Sequence, residues 1–163
     1  MADEIIPPEG SIFLQISGGV ALVDEDLVEE LGSMLWSVNR AGYAVDGRGI
    51  SMHRYVNKTP KGSLTDHINR VTLDNRRCNL RTVTAQQNAW NTKRRKPRTG
   101  HCKSQYKCVF FDPGDHANPW RSKITISGKL TYLGRFLTEM EAARAYDETA
   151  KSIFGEFACL NFP

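Results

Sequence analysis

The chain has 163 residues, a formal net charge of +4 and a hydrophobic fraction of 40%, typical of a soluble globular protein of one or two domains. It contains no apolar run near the roughly 18 residues that a transmembrane helix needs, and its acidic N-terminus does not resemble a signal peptide. We therefore expect a cytoplasmic protein without a membrane partner. Its four cysteines lack CxxC spacing, which favours reduced thiols over a zinc site.

Charge is distributed very unevenly along the chain. Residues 1–39 contain eight acids and no Lys or Arg, whereas residues 40–110 contain sixteen Lys or Arg and three acids. A surface that basic attracts polyanions, most often nucleic acid. The alternative, a merely solvated basic face, is less favoured because one of the few acids, Asp66, directly precedes His67.

The N-terminal part of the chain predicts short strands around one short helix. After a loose arm, four segments have strand character: residues 12–16, 20–23, 35–38 and 43–45. The first two flank a Ser-Gly-Gly turn and should form a hairpin. Asp24 then resembles the N-cap of a short helix that Gly32 ends.

Residues 64–91, LTDHINRVTLDNRRCNLRTVTAQQNAWN, concentrate ligand-type and phosphate-seeking side chains. The pattern predicts a strand over 64–68, a loop over 70–77, a strand over 79–83 and a helix over 85–94. Thr84 and Gln87 form a capping box at the start of that helix.

Four side chains of this stretch match the needs of phosphodiester hydrolysis, which requires an activated water and a cation on the developing negative charge. His67 can take a proton near neutral pH, and Asp66 can bind a hard cation. Asn79 and Asn88 add amide oxygens, and Asn88 falls in the first turn of the predicted helix. Because adjacent strand residues point to opposite faces, Asp66 and His67 can share a site only at a strand end or bend.

Asp66-His67, Asn79 and Asn88, with DNRRCNLR between, resemble the signature of HNH homing endonucleases, in the His-Asn-Asn variant of phage and mobile-element enzymes. The resemblance implies a ββα-metal fold with His67 as general base and Asp66 and Asn88 as ligands of one divalent cation. It implies that Asn79 orients the histidine or braces the loop. Many relatives have a third His where this chain has Asn88, and an amide oxygen favours Mg²⁺ or Mn²⁺ over zinc.

Each of these side chains also has a structural alternative. His67 could be a satisfied structural histidine, Asn79 a loop brace and Asn88 a helix-surface residue. His53 is expected to be structural. Three arginines of the stretch are expected to clamp phosphates rather than form a solvated face: Arg76, Arg77 and Arg81.

Residues 93–105, KRRKPRTGHCKSQ, predict a basic linker that tracks phosphates or serves as a solvated tether. Its expected DNA contacts are Lys93, Arg94, Arg95 and Lys96.

The C-terminal residues predict a small sheet with one helix. Strand character is found over residues 106–112, 120–127 and 129–136, and Thr138 with Glu141 forms a second capping box. The series YLGRF, EAARAYD and NFP resembles AP2/ERF domains, which lay a three-stranded antiparallel sheet in the major groove. The expected DNA contacts are Lys107, Trp120, Arg121, Lys123, Thr125, Tyr132 and Arg135. Strand alternation separates Trp120 from Arg121, so Trp120 could instead belong to the core.

The sequence therefore predicts an α+β protein with an HNH domain over residues 1–92, a linker over 93–105 and an AP2-like domain over 106–163. We expect a site-directed endonuclease that cuts double-stranded DNA with a His base and one Mg²⁺ or Mn²⁺ and no other cofactor. A monomer is favoured. The alternative is a DNA-binding regulator without catalysis, and RNA is a less favoured substrate.

Overall fold

The structure is a computed structural model that describes residues 6–93, 104–114 and 117–163. The chain divides into two compact units, Met1–Asn88 and Ala89–Pro163. Both combine short helices with small antiparallel sheets, which confirms the predicted mixture of helix and sheet. Within the described ranges, no helix is long and apolar enough to cross a membrane.

The first unit contains three antiparallel strand pairs and three short helices. The strands are β1 (Ser11–Ile16), β2 (Gly19–Asp24), β3 (Trp36–Val38), β4 (Ala44–Asp46), β5 (Leu64–His67) and β6 (Leu80–Val83). They pair as β1-β2, β3-β4 and β5-β6. The helices are α1 (Val28–Gly32), α2 (Met52–Val56) and α3 (Ala85–Trp90), whose last two residues belong to the second unit. The predicted first hairpin and the end of α1 at Gly32 are confirmed.

The core of this unit lies between the first hairpin and the helices. Side chains alternate along β2, so that Ala21 and Val23 are fully buried against Leu31 of α1 and Met52 of α2. The intervening Leu22 pairs through its backbone with the loop that precedes β6: its N–H donates to the Leu73 carbonyl at 2.8 Å. The first hairpin therefore supports that loop directly.

Two local predictions differ from the structure. Asp24 precedes a 3₁₀ turn, but its side chain makes no cap hydrogen bond; instead its carboxylate accepts the backbone N–H of Arg77 at 2.9 Å. The helix expected over residues 85–94 ends at Trp90. Its predicted capping box is confirmed, with Gln87 N–H donating to the Thr84 hydroxyl at 3.2 Å.

The second unit is a three-stranded antiparallel sheet with one long helix against it. The strands β7 (Val109–Phe111), β8 (Trp120–Ile126) and β9 (Lys129–Phe136) lie in that order, and α4 (Glu139–Phe154) packs on the sheet. The capping box of Thr138 and Glu141 is confirmed. Ala150 and Phe154 lie on the buried face of α4, whereas Ile153 is 43% exposed.

Candidate active site

Asp66 and His67 lie at the end of β5 and are both buried. In the antiparallel ladder Asp66 is opposite Arg81, and His67 is opposite Leu80. Since His67 is the last residue of β5, strand alternation ends there, and the chain turns at Arg70 with a positive φ of 65°. Asp66 and His67 therefore lie at a strand end, the position at which the sequence allows them to share a site.

The His67 ring is enclosed by an amide and two other rings. Its Nε2 lies 3.3 Å from Oδ1 of Asn75, a residue without solvent exposure. The ring centroids of His53 and Tyr43 lie 5.0 and 5.9 Å from that of His67. Asn75 and Tyr43 were not singled out from the sequence, and His53 was expected to be structural.

Burial lowers the pKa of His67 below its ordinary value, while the Asn75 hydrogen bond and the carboxylates of Asp66 and Asp74 oppose that shift. The pKa of His53 is lowered to about 4, first by burial and then by the positive charges of His67 and Arg54. Both imidazoles are therefore neutral near pH 7. A neutral imidazole is the form that can accept a proton from water.

Asn79 braces the loop between β5 and β6. Its Oδ1 accepts the backbone N–H of Asn69 at 2.9 Å, and its Nδ2 donates to the Asp74 carbonyl at 2.7 Å. The Asp74 carboxylate in turn accepts from Asn69 and Arg76. These contacts favour the bracing alternative for Asn79, whereas Asn75 is the asparagine that contacts the histidine.

The two predicted metal ligands belong to β5 and α3. Asp66 accepts from Arg81 through its Oδ2, and Asn88 is half-buried on α3, with its backbone N–H donating to the Thr84 carbonyl at 3.0 Å. Among the described residues, no group of three or more His, Cys, Asp or Glu side chains could hold a metal ion. One buried carboxylate and one amide oxygen match the chemistry of Mg²⁺, which retains several waters and substrate oxygens as ligands.

The predicted phosphate clamps are each paired with a carboxylate. Arg76 binds Asp74 through Nη2 at 2.7 Å, and Arg77 binds Asp26 through two nitrogens at 2.7 and 2.9 Å. The third pair joins Arg81 and Asp66. Lys93 is exposed. The predicted contacts Arg94, Arg95 and Lys96 lie outside the described residues.

In the second unit, one face of β8 and β9 carries a cationic surface. Ser122 and Ile124 are buried, so Arg121, Lys123 and Thr125 share the opposite face. Their partners on β9 in the ladder are Arg135, Tyr132 and Leu130. The carboxylate of Asp112 lies 3.4 Å from Nε of Arg121 and 2.5 Å from Nη2 of Arg135.

Two other predicted DNA contacts have structural partners in this unit. The Trp120 ring lies 5.1 Å from Phe111 and packs on the cluster of Val109, Ala142 and Ala143. Lys107 donates from Nζ to the Trp90 carbonyl at 2.8 Å. The arrangement favours the core alternative for Trp120 and a structural role for Lys107.

Residues 55–90 match the family model of HNH endonucleases. An uncharacterized HNH endonuclease of Acanthamoeba polyphaga mimivirus is 28% identical over 152 residues, which cover 88% of this chain and 75% of the viral protein. Dehydration-responsive element-binding protein 2A of Arabidopsis thaliana is 56% identical over 36 residues, covering 22% of this chain and 11% of the plant protein. No solved structure matches the chain.

Proposed function

We propose that this protein is a site-directed, metal-dependent endonuclease that hydrolyses a phosphodiester bond of duplex DNA, similar to HNH homing endonucleases. The observation that carries the proposal is His67, a buried imidazole whose lowered pKa keeps it neutral, at a strand end inside the segment that matches HNH endonucleases. Beside it, Asp66 supplies a buried carboxylate of the kind that a hard cation requires.

In the proposed reaction His67 takes the proton of the attacking water. When Nε2–H donates to the Asn75 oxygen, the ring lone pair is on Nδ1, so Nδ1 is the atom that receives the proton. One Mg²⁺ or Mn²⁺, held by Asp66 and Asn88, would supply the positive charge that stabilises the phosphate in the transition state. Asn79 keeps the loop that carries Asn75 in place.

We further propose that the nuclease domain, residues 1–92, is delivered to its site by an AP2/ERF-like domain, residues 106–163, through the basic linker 93–105. The cationic face of β8 and β9 and the short match to a plant element-binding protein support this role. The proposed DNA contacts on this face are Arg121, Lys123, Thr125, Tyr132 and Arg135. Tethering raises the local concentration of the nuclease at its site, so neither domain needs high affinity alone.

The nuclease proposal is tested by incubating the purified full-length protein with supercoiled plasmid over a range of Mg²⁺ and Mn²⁺ concentrations. We expect nicked circles, and a His67→Ala variant that binds DNA without cutting it. One active site per monomer accounts for a nick. If the wild-type protein binds DNA but never nicks it, the alternative of a non-catalytic regulator is favoured and the enzyme proposal fails.

A further inference from the structure

The carboxylate of Asp66 already has a cation beside it. Arg81 donates to Oδ2 of Asp66 from Nη2 at 2.8 Å and from Nε at 3.0 Å. The two side chains are 12% and 8% exposed. Because the residues are direct partners in the β5-β6 ladder, the backbone register itself holds them together.

This pairing conflicts with metal binding at the same carboxylate. A divalent ion on Asp66 would lie within a few ångströms of the guanidinium cation of Arg81. Repulsion between the two cations is strong at a partly buried site, where solvent screens charges poorly. A metal ion can therefore bind Asp66 well only if Arg81 has another anion to pair with.

The phosphate backbone of DNA is such an anion. A guanidinium binds phosphate oxygens through two parallel hydrogen bonds, as it binds a carboxylate, and the side chain is long enough to change partner without moving the strand. Retaining Arg81 opposite Asp66 then has a functional explanation, since a buried ion pair by itself adds little net stability.

Resting on the proposed nuclease function, we propose that Arg81 is an internal counter-ion that holds the metal affinity of Asp66 low until DNA phosphate draws its guanidinium away. DNA and the divalent ion then bind cooperatively. By linkage, DNA raises the affinity for the metal by the same factor by which the metal raises the affinity for DNA. The protein without DNA stays largely without metal, which limits hydrolysis away from its substrate.

The test measures Mn²⁺ binding to the full-length protein from the electron paramagnetic resonance signal of free Mn²⁺. Titrations are made with and without a short random-sequence duplex, and Mn²⁺ bound by the duplex alone is subtracted. A His67→Ala background prevents cutting. We expect the duplex to tighten Mn²⁺ binding at least tenfold. Arg81→Gln should tighten it tenfold or more without DNA, and the duplex should then add little.

Two matched variants sharpen the test. Arg48→Gln removes an arginine that also pairs with a buried carboxylate, at 2.8 and 2.9 Å from Asp46, a residue outside the proposed metal site. It should leave Mn²⁺ affinity unchanged. Arg81→Lys keeps the positive charge beside Asp66, so Mn²⁺ affinity without DNA should stay low.

An Arg81→Gln variant with unchanged or reduced Mn²⁺ affinity overturns the inference, since the arginine would then be irrelevant to the metal or help to hold its ligand. If the Arg81→Gln variant gives this result while the wild-type protein binds Mn²⁺ and nicks DNA, the inference fails but the nuclease proposal is retained. If the wild-type protein neither binds Mn²⁺ nor nicks DNA, the nuclease proposal fails and the inference fails with it.

Discussion

The two asparagines near His67 have different partners, and their replacement should have different effects. Asn75→Ala removes the acceptor 3.3 Å from Nε2 of His67. Under the proposed mechanism, we expect kcat to fall roughly tenfold to a hundredfold, with little change in KM, because the imidazole loses its orientation rather than its chemistry. Steady-state nicking kinetics measure both parameters.

Asn79→Ala should act mainly on stability. It removes two hydrogen bonds within the loop and leaves their backbone partners unsatisfied, which costs about 1–3 kcal/mol of unfolding free energy. Urea denaturation followed by circular dichroism measures this loss. A stable Asn79→Ala variant with a reduced kcat, together with a fully active Asn75→Ala variant, would reverse the two roles.

His53 should make stability depend on pH. Its pKa is about 4 in the folded protein and 6.5 in an ordinary environment. Between these values the unfolded chain binds more protons, so the free energy of unfolding falls as pH decreases from 6.5 to 4. The whole shift would correspond to about 3 kcal/mol, and partial exposure of the ring reduces this to roughly 1–2 kcal/mol.

The matching variant is His53→Phe, which keeps an aromatic ring against His67. Nδ1 of His53 has no hydrogen-bond partner among the described residues, so the phenyl ring loses no hydrogen bond at that atom. Denaturant midpoints at pH 4.5 and 7 should lie closer together in the variant than in the wild-type protein. Equal pH dependence in both would exclude His53 as its source.

At the scale of the elements, local signals in the sequence predicted most of the fold. β5 and β6 begin and end within one residue of the expected positions, and both capping boxes form. These features depend on alternation and on side chains three residues apart. Their physical cause is therefore contained in a short stretch of sequence.

Features that depend on distant contacts could not be predicted. Trp90, the last residue of α3, makes two such contacts. Its ring stacks on that of Phe154 with 4.3 Å between the ring centroids, and its backbone carbonyl accepts a hydrogen bond from Lys107. Asp24 is bound by the backbone of Arg77, 53 residues away. The contact of Asn75 with His67 likewise depends on the path of the loop, and no sequence spacing distinguishes Asn75 from other loop asparagines.

The end of the chain is held by one side chain of α4. The Asp147 carboxylate accepts the backbone N–H groups of Asn161 and Phe162, each at 2.8 Å. Asp147→Ala leaves both groups without this acceptor and should lower the unfolding free energy by about 2–3 kcal/mol. Glu148→Ala, at an exposed neighbouring position, is the control and should change thermal stability little. Equal melting temperatures of the two variants would contradict the expected clamp.

At the scale of the whole molecule, the cationic face of β8 and β9 should determine how DNA affinity responds to salt. Replacing Arg121 and Lys123 together by Gln should reduce the slope of log Kd against log salt by about one for each lost phosphate contact. Fluorescence anisotropy with a labelled duplex over a range of KCl concentrations measures the slope. Lys151→Gln on α4 is the control with the same charge change per residue. If both slopes equal that of the wild type, this face does not bind phosphate.

The segment that matches HNH endonucleases, residues 55–90, is supported by residues outside it. The carbonyl of Leu22 accepts from the Asn75 backbone at 2.7 Å, and Asp26 binds the Arg77 side chain. Tyr43 and His53 complete the surroundings of His67. A graft of residues 55–90 into a foreign scaffold would thus lose these contacts and the surroundings that they give His67. A transplant that preserves the surroundings of His67 must therefore carry the whole unit, with its first hairpin.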